Sequence, residues 1–206
     1  MSDFSPVIRD NADQWDMDAE DEHLWWPRIL WVDPGDVSGL ACVWFNPAKL
    51  FAGQRIGRCV LAFAESYVAG SEEDQTAQIL TRVAELGGPS GLAVGVESFV
   101  NMRPDMSHSY LAPVRIRSKI EFGLYQGVKE WDGETRRRAI ATQSASEALS
   151  VITDNRLKQL GLYTPGPDHI RDAMRHCVLW LRKLRANGRG MVYFRHVHGW
   201  EEGWFE

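Results

Sequence analysis

The segment Arg28-Ile-Leu-Trp-Val-Asp33 is the part of the sequence that decides the fold. Its apolar residues lead to an acid, and the turn residues Pro34-Gly35-Asp36 follow, which predicts a buried β-strand. A second apolar run over 38–45 begins so soon afterwards that the two strands are expected to be antiparallel. A third run over 58–65 predicts the last strand of a three-stranded meander.

A second strand that ends at an acid follows a predicted helix. Ser71 precedes three acids and an apolar repeat of helical spacing, so we expect the helix to begin there and to end at Gly87-Gly88. Leu92-Ala-Val-Gly-Val-Glu97 then predicts a strand, and a strand–helix–strand unit favours parallel pairing with the first strand. The further predicted elements are helices over 113–131, 144–160 and 168–186 and strands over 138–142 and 191–198. The order predicts an α/β fold, a mixed sheet flanked by helices.

Composition and charge exclude several classes of protein. The 206 residues include 23 Lys+Arg and 28 Asp+Glu, and the net charge of -5 argues against a generally basic DNA-coating protein. The charges are uneven, because residues 1–23 hold eight acids and one base whereas 103–195 hold 17 bases and nine acids. We predict an acidic extension over 1–27, one domain over 28–187 and a C-terminal strand or tail over 188–206.

The sequence predicts a cytoplasmic protein with reduced cysteines. The longest stretch without a charged residue, 37–48, has 12 residues, and a membrane-spanning helix needs about 20. The three cysteines are far apart in apolar contexts, which is typical of buried thiols in a reducing compartment rather than of disulfides.

Three groups of acids lie where the predicted elements bring side chains together. Asp33 and Glu97 close parallel strands, so both carboxylates are expected at one edge of the sheet, where open α/β sheets bind ligands. Asp168-His169-Ile-Arg-Asp172 opens the last helix, and residues three or four apart share a helix face. Clustered carboxylates repel one another unless a cation neutralises them, and oxygen ligands suit Mg2+ or Mn2+. For Asp33 and Asp168 the roles of a turn residue and a helix cap also stay open.

Four motifs, in this order and spacing, point to a known family. They are Trp31-Val-Asp33-Pro-Gly35 with Ser38-Gly39-Leu-Ala41, then Val94-Gly-Val-Glu97-Ser-Phe99, then the basic helix 115–124, and finally His169-Ile-Arg-Asp172-Ala173. Over 28–186 the chain resembles RuvC-like Holliday junction resolvases of the RNase H-like superfamily, in a bacteriophage version. The resemblance implies an RNase H-like fold and a homodimer that resolves branched DNA by two-metal phosphodiester hydrolysis with Mg2+ or Mn2+.

The resemblance also implies residue roles. Asp33 would bridge two metal ions, while Glu97 and Asp172 would each ligate one. His169 takes the fourth place, with Asp168 as the neighbouring alternative. Phe99 would stack on an unpaired base, although core packing is an equal interpretation. The bases expected to contact DNA phosphates, unless they form a solvated helix face, are Arg115, Arg117, Lys119, Arg136, Arg137 and Arg138.

The sequence departs from the family in the stretch 136–147, where the family's glycines and second lysine are missing. The preferred substrate therefore stays open between Holliday junctions and flaps, replication forks or RNA–DNA hybrids. A non-cleaving DNA-binding module on the same fold is the alternative from another class.

Overall fold

The computed structural model describes residues 26–67, 71–86, 92–98, 108–132 and 140–186, with side chains described over 111–124 of the fourth segment. Five strands form one mixed sheet in the order β3-β2-β1-β4-β5. They are β1 Arg28–Asp33, β2 Ser38–Phe45, β3 Val60–Tyr67, β4 Leu92–Ser98 and β5 Ala141–Ser144. The first three form an antiparallel meander, whereas β4 pairs in parallel with β1 and β5 in parallel with β4. The predicted fold class, an α/β mixed sheet with an antiparallel meander and parallel strands flanked by helices, is confirmed.

Helices cover both faces of this sheet. They are α1 Pro47–Phe51, a 3-10 helix Ile56–Arg58, α2 Glu72–Glu85, α3 His108–Asp132, α4 Ala145–Val151, α5 Asp154–Leu160 and α6 Asp168–Ala186. One core cluster joins the sheet to α2 and α3, and a second joins the opposite face to α4, α5 and α6. The site described below lies on the α6 face.

The alternation of side chains along β1 assigns its residues to the two faces. Leu30 and Val32 belong to the α2–α3 cluster, whereas Ile29 and Trp31 belong to the α6 cluster. Because successive strand residues point to opposite faces, Asp33 shares the α6 face with Trp31. The strand end thus directs its carboxylate towards the last helix.

Local sequence signals account for the starts of the helices. Ser71 begins α2, as predicted, and forms a reciprocal capping box with Asp74. The single helix predicted over 144–160 is wrong, because two helices occupy this stretch. Ser144 does cap α4, but the backbone of Ile152 is extended (φ −120°, ψ 90°) and Thr153 caps a new helix, α5.

Several other predictions agree in type but differ in bounds. The long helix α3 begins at His108 and contains Pro113, and the strand predicted over 138–142 runs over Ala141–Ser144. The three cysteines are free and buried, as predicted. None of the described helices is long and apolar enough to cross a membrane. The strand predicted over 191–198, the acidic extension up to residue 25 and the C-terminal tail lie outside the described residues.

Candidate active site

The parallel pairing of β1 with β4 brings two of the candidate acids to one sheet edge. Val32 is paired with Val96, so Asp33 and Glu97 are the next residues on neighbouring strands. His169 and Asp172 lie in the first two turns of α6, three positions apart and therefore on one face of the helix. The structure thus brings together the acids of the two strands and the polar start of the last helix.

Asp33 contacts His169 directly. Its Oδ2 lies 2.9 Å from His169 Nδ1, and the carboxylate is 10 % exposed. Burial raises the pKa of Asp33 to about 6, against the opposing hydrogen bond from His169, and the negative charges of Glu97 and Asp172 raise it further. The pKa of His169 is raised in turn, chiefly by its hydrogen bond to Asp33. The raised pKa of Asp33 therefore reflects its burial first and the neighbouring carboxylates second.

A glycine allows α6 to approach the hairpin this closely. A Cβ atom added at Gly39, which is paired with Asp33 across the hairpin, would lie 2.0 Å from the backbone carbonyl oxygen of His169. Real Cβ atoms do not approach backbone atoms so closely, so a larger residue would displace the start of the helix. The glycine of the motif Ser38-Gly39 is thus explained sterically, because β2 contacts the helical turn that carries His169.

Glu97 is held by a histidine that the sequence analysis did not single out. Its Oε2 lies 3.0 Å from Nε2 of His176, whose Nδ1 lies 3.1 Å from Oε1 of Gln143. The His176 ring is fully buried and stacks on Trp31, with 5.1 Å between ring centroids and 7° between planes. The signal in the sequence was the spacing, since His176 lies seven positions after His169 and so shares its helix face.

The remaining candidate acids contact arginines. Asp172 pairs with Arg175, and the same guanidinium also pairs with Asp154. Asp168 pairs with Arg171, and its side chain is 79 % exposed. His169 and not Asp168 therefore reaches Asp33, although this placement does not by itself decide which of them ligates a metal.

The side chains at this edge fit a divalent cation by their chemistry. In the part of the chain that the structure describes, no three His, Cys, Asp or Glu side chains are gathered closely enough to hold a metal as they stand. Asp33, Glu97 and Asp172 nevertheless lie near enough for the latter two to raise the pKa of the first. Three carboxylates and an imidazole are suitable ligands for Mg2+ or Mn2+, and a cation among them would offset their repulsion.

The predicted DNA-contacting bases that the structure describes do not lie at this edge of the sheet. Arg115 forms an ion pair with Glu72 at 2.5 Å and Lys119 one with Glu73 at 2.5 Å, both at the start of α2. Arg117 pairs with Glu121 within α3 itself. Helix α3 packs on the opposite face of the sheet from α6. The other predicted contacts, Phe99, Arg136, Arg137 and Arg138, lie outside the described residues.

Comparisons with known proteins add a distant structural likeness. No family model and no curated protein matches the sequence. Among solved structures, the chain is similar to RuvC from Thermus thermophilus, with a TM-score of 0.48 and 16% sequence identity. The match covers 72% of this chain and 89% of that chain. The interpretation of the site therefore rests on its own geometry, and the bacteriophage origin and the dimer stay predictions.

Proposed function

We propose that the protein is a metal-dependent endonuclease that cuts branched DNA, with the Holliday junction as its substrate. One observation carries the proposal, which is the buried Asp33 carboxylate in contact with His169 and within electrostatic reach of Glu97 and Asp172. Burying a carboxylate close to other carboxylates costs stability, and a cation-dependent reaction gives a reason for this arrangement.

Each proposed ligand has a distinct role in preparing the site. Asp33, Glu97 and Asp172 would hold the cations. His169 keeps the Asp33 carboxylate in one orientation through its 2.9 Å contact. Two divalent ions bound here would supply the activation of a water and the stabilisation of the leaving oxygen in phosphodiester hydrolysis. The expected products carry a 5′-phosphate and a 3′-hydroxyl.

The reaction should need the ionised form of Asp33. Its pKa of about 6 means that protons compete with cations for this carboxylate near neutral pH. Cleavage at limiting Mg2+ should therefore increase as the pH rises through about 6. Because a four-way junction requires two cuts, a homodimer with one site in each copy suits this substrate.

The experiment that tests the proposal compares DNA structures and variants. Purified protein is incubated with a labelled four-way junction, a flap, a fork, an RNA–DNA hybrid and a plain duplex, each with and without Mg2+ or Mn2+. We expect metal-dependent cuts in the junction, and Asp33→Asn should bind the junction without cutting it. Asp36→Asn makes the same chemical change at an exposed turn residue and should cut normally.

Each alternative gives a different result in the same assay. Cleavage confined to flaps, forks or hybrids would keep the nuclease but replace the substrate. Binding of the junction without metal-dependent cleavage by the unaltered protein would indicate the non-cleaving module. Full activity in Asp33→Asn would overturn the site itself.

A further inference from the structure

A fully buried histidine connects Glu97 to the core of the protein. His176 is 0% exposed, and buried apolar residues of the same helix, such as Ala173 and Cys177, lie near it in the sequence. A polar ring at such a position is costly unless its nitrogen atoms find partners. Both ring nitrogens do, on Glu97 and on Gln143, so the arrangement serves a polar purpose rather than packing alone.

The sheet places the two hydrogen-bond partners of His176 side by side. Glu97 and Gln143 are direct neighbours on the parallel strands β4 and β5, so both side chains rise from the same face. Trp31 is paired with Gly95, where a Cβ atom would lie 2.2 Å from the indole ring. The absence of a side chain at Gly95 therefore gives the Trp31 ring its room, and the ring in turn supports the imidazole by stacking.

The hydrogen bonds fix the direction of the Glu97 carboxylate. A neutral imidazole has one N–H donor and one acceptor nitrogen. If Nε2–H of His176 donates to Glu97 Oε2, Nδ1 must accept a hydrogen bond. The side-chain amide of Gln143 can donate it once the amide is flipped, so that Nε2 takes the place of Oε1. Without this flip, Gln143 Nε2 is buried and has no hydrogen-bond partner among the described residues. The flipped amide is therefore favoured. The imidazole then holds Glu97 Oε2 in place.

We propose that His176 is a positioning residue that orients Glu97 for a divalent cation, with Gln143 fixing the ring nitrogens and Trp31 fixing the ring plane. This inference rests on the proposed function, because it takes Glu97 to be a metal ligand. It adds a residue that acts through Glu97 and does not itself touch the metal or the DNA. Groups that hydrogen-bond to metal ligands typically change metal affinity by about 10- to 100-fold when they are removed.

The test measures the binding of Mn2+ itself, separately from cleavage. Free Mn2+ is followed by electron paramagnetic resonance during titration of the full-length protein and three variants. His176→Phe keeps a flat ring for stacking but removes both hydrogen bonds, and His176→Gln restores an amide donor that can reach Glu97. Leu184→Ala truncates a buried residue near the other end of the same helix, so it controls for general loss of stability.

We expect His176→Phe to weaken Mn2+ binding by about 10- to 100-fold, His176→Gln to recover part of the affinity, and Leu184→Ala to bind as the unaltered protein does. Raising the Mn2+ concentration should restore junction cleavage by His176→Phe, whereas Asp33→Asn should not recover. If His176→Phe does not fold, Gln143→Leu tests the same connection and should also weaken Mn2+ binding.

The two ways to fail are distinguishable. An unaltered protein that binds no Mn2+ would overturn the proposed function and, with it, the basis of this inference. An unaltered protein that binds Mn2+ as tightly as His176→Phe does would leave the nuclease in place and overturn the role of His176. A loss of affinity of equal size in Leu184→Ala would also overturn it, because stability alone would then explain the effect.

Discussion

Replacing Asp33 with asparagine should make the metal-free protein more stable at pH 8. The folded protein raises the pKa of this carboxyl from 3.8 to about 6, chiefly by burial, so the folded state binds the proton more tightly than the unfolded state does. The stabilisation of the folded state by this tighter proton binding is complete below pH 3.8 and is lost as the pH rises through about 6. Asparagine has nearly the same shape and no charge, so it avoids this loss.

The magnitude follows from the two pKa values. Each pKa unit corresponds to about 1.36 kcal/mol, so the full difference is worth about 3 kcal/mol at pH 8. At pH 4.5, where the folded form of Asp33 is mostly protonated, the advantage of asparagine should fall to about 1 kcal/mol. The pKa of about 6 for Asp33 already includes the effect of the hydrogen bond to His169, and asparagine can still accept that hydrogen bond.

The assay is urea denaturation of Asp33→Asn, Asp36→Asn and the unaltered protein in EDTA at both pH values. Asp36→Asn should change the free energy of unfolding little, because its side chain is exposed. Repeating the pH 8 series with Mn2+ should reduce or reverse the advantage, since only the carboxylate binds the cation well. An Asp33→Asn variant that is no more stable than the unaltered protein at pH 8, or whose advantage is the same at pH 4.5, would refute the reasoning.

Three further perturbations test the packing around the site. Gly39→Ala places a Cβ atom against the backbone of His169 and should lower stability by about 1–3 kcal/mol in thermal denaturation; an unchanged melting temperature would contradict the close approach. Arg175→Met leaves Asp154 and Asp172 without their shared partner and should cost about 1–3 kcal/mol in urea denaturation; a variant as stable as the unaltered protein would show that the shared pair is not stabilising. Burial raises the pKa of all three cysteine thiols, so a thiol reagent at pH 8 should label them only after denaturation; rapid labelling of the native protein would disprove their burial.

The sequence was sufficient to predict the sheet and the acids at its edge. Asp33 and Glu97 each end an apolar run, and the helix before the Glu97 strand favours parallel pairing of their strands. The sequence could not predict which polar side chains form hydrogen bonds with each other. His176 lies among apolar residues of an amphipathic helix, and only the pairing of β4 with β5 reveals that Glu97 and Gln143 meet it.

Two other misses have local causes. The break between α4 and α5 depends on the extended backbone of Ile152, whereas the sequence from Ser144 onwards has no proline or glycine before Gly161 to signal it. The basic residues of α3 have the composition of a phosphate-binding surface. Arg115 and Lys119 pair with acids of α2, which become their neighbours only when the two helices pack together. Charge alone does not tell whether a base faces a protein carboxylate or a ligand.

The docking of α6 against β1 and β2 has a consequence for the order of folding. The strand that supplies Asp33 is near the start of the described chain, and the helix that supplies His169 is its last described element. During synthesis the meander can form early, but closure of the site must wait for a contact of very long sequence separation. A partly synthesised chain would therefore contain the hairpin without the completed site, and the proposed activity would arise only in a single late step.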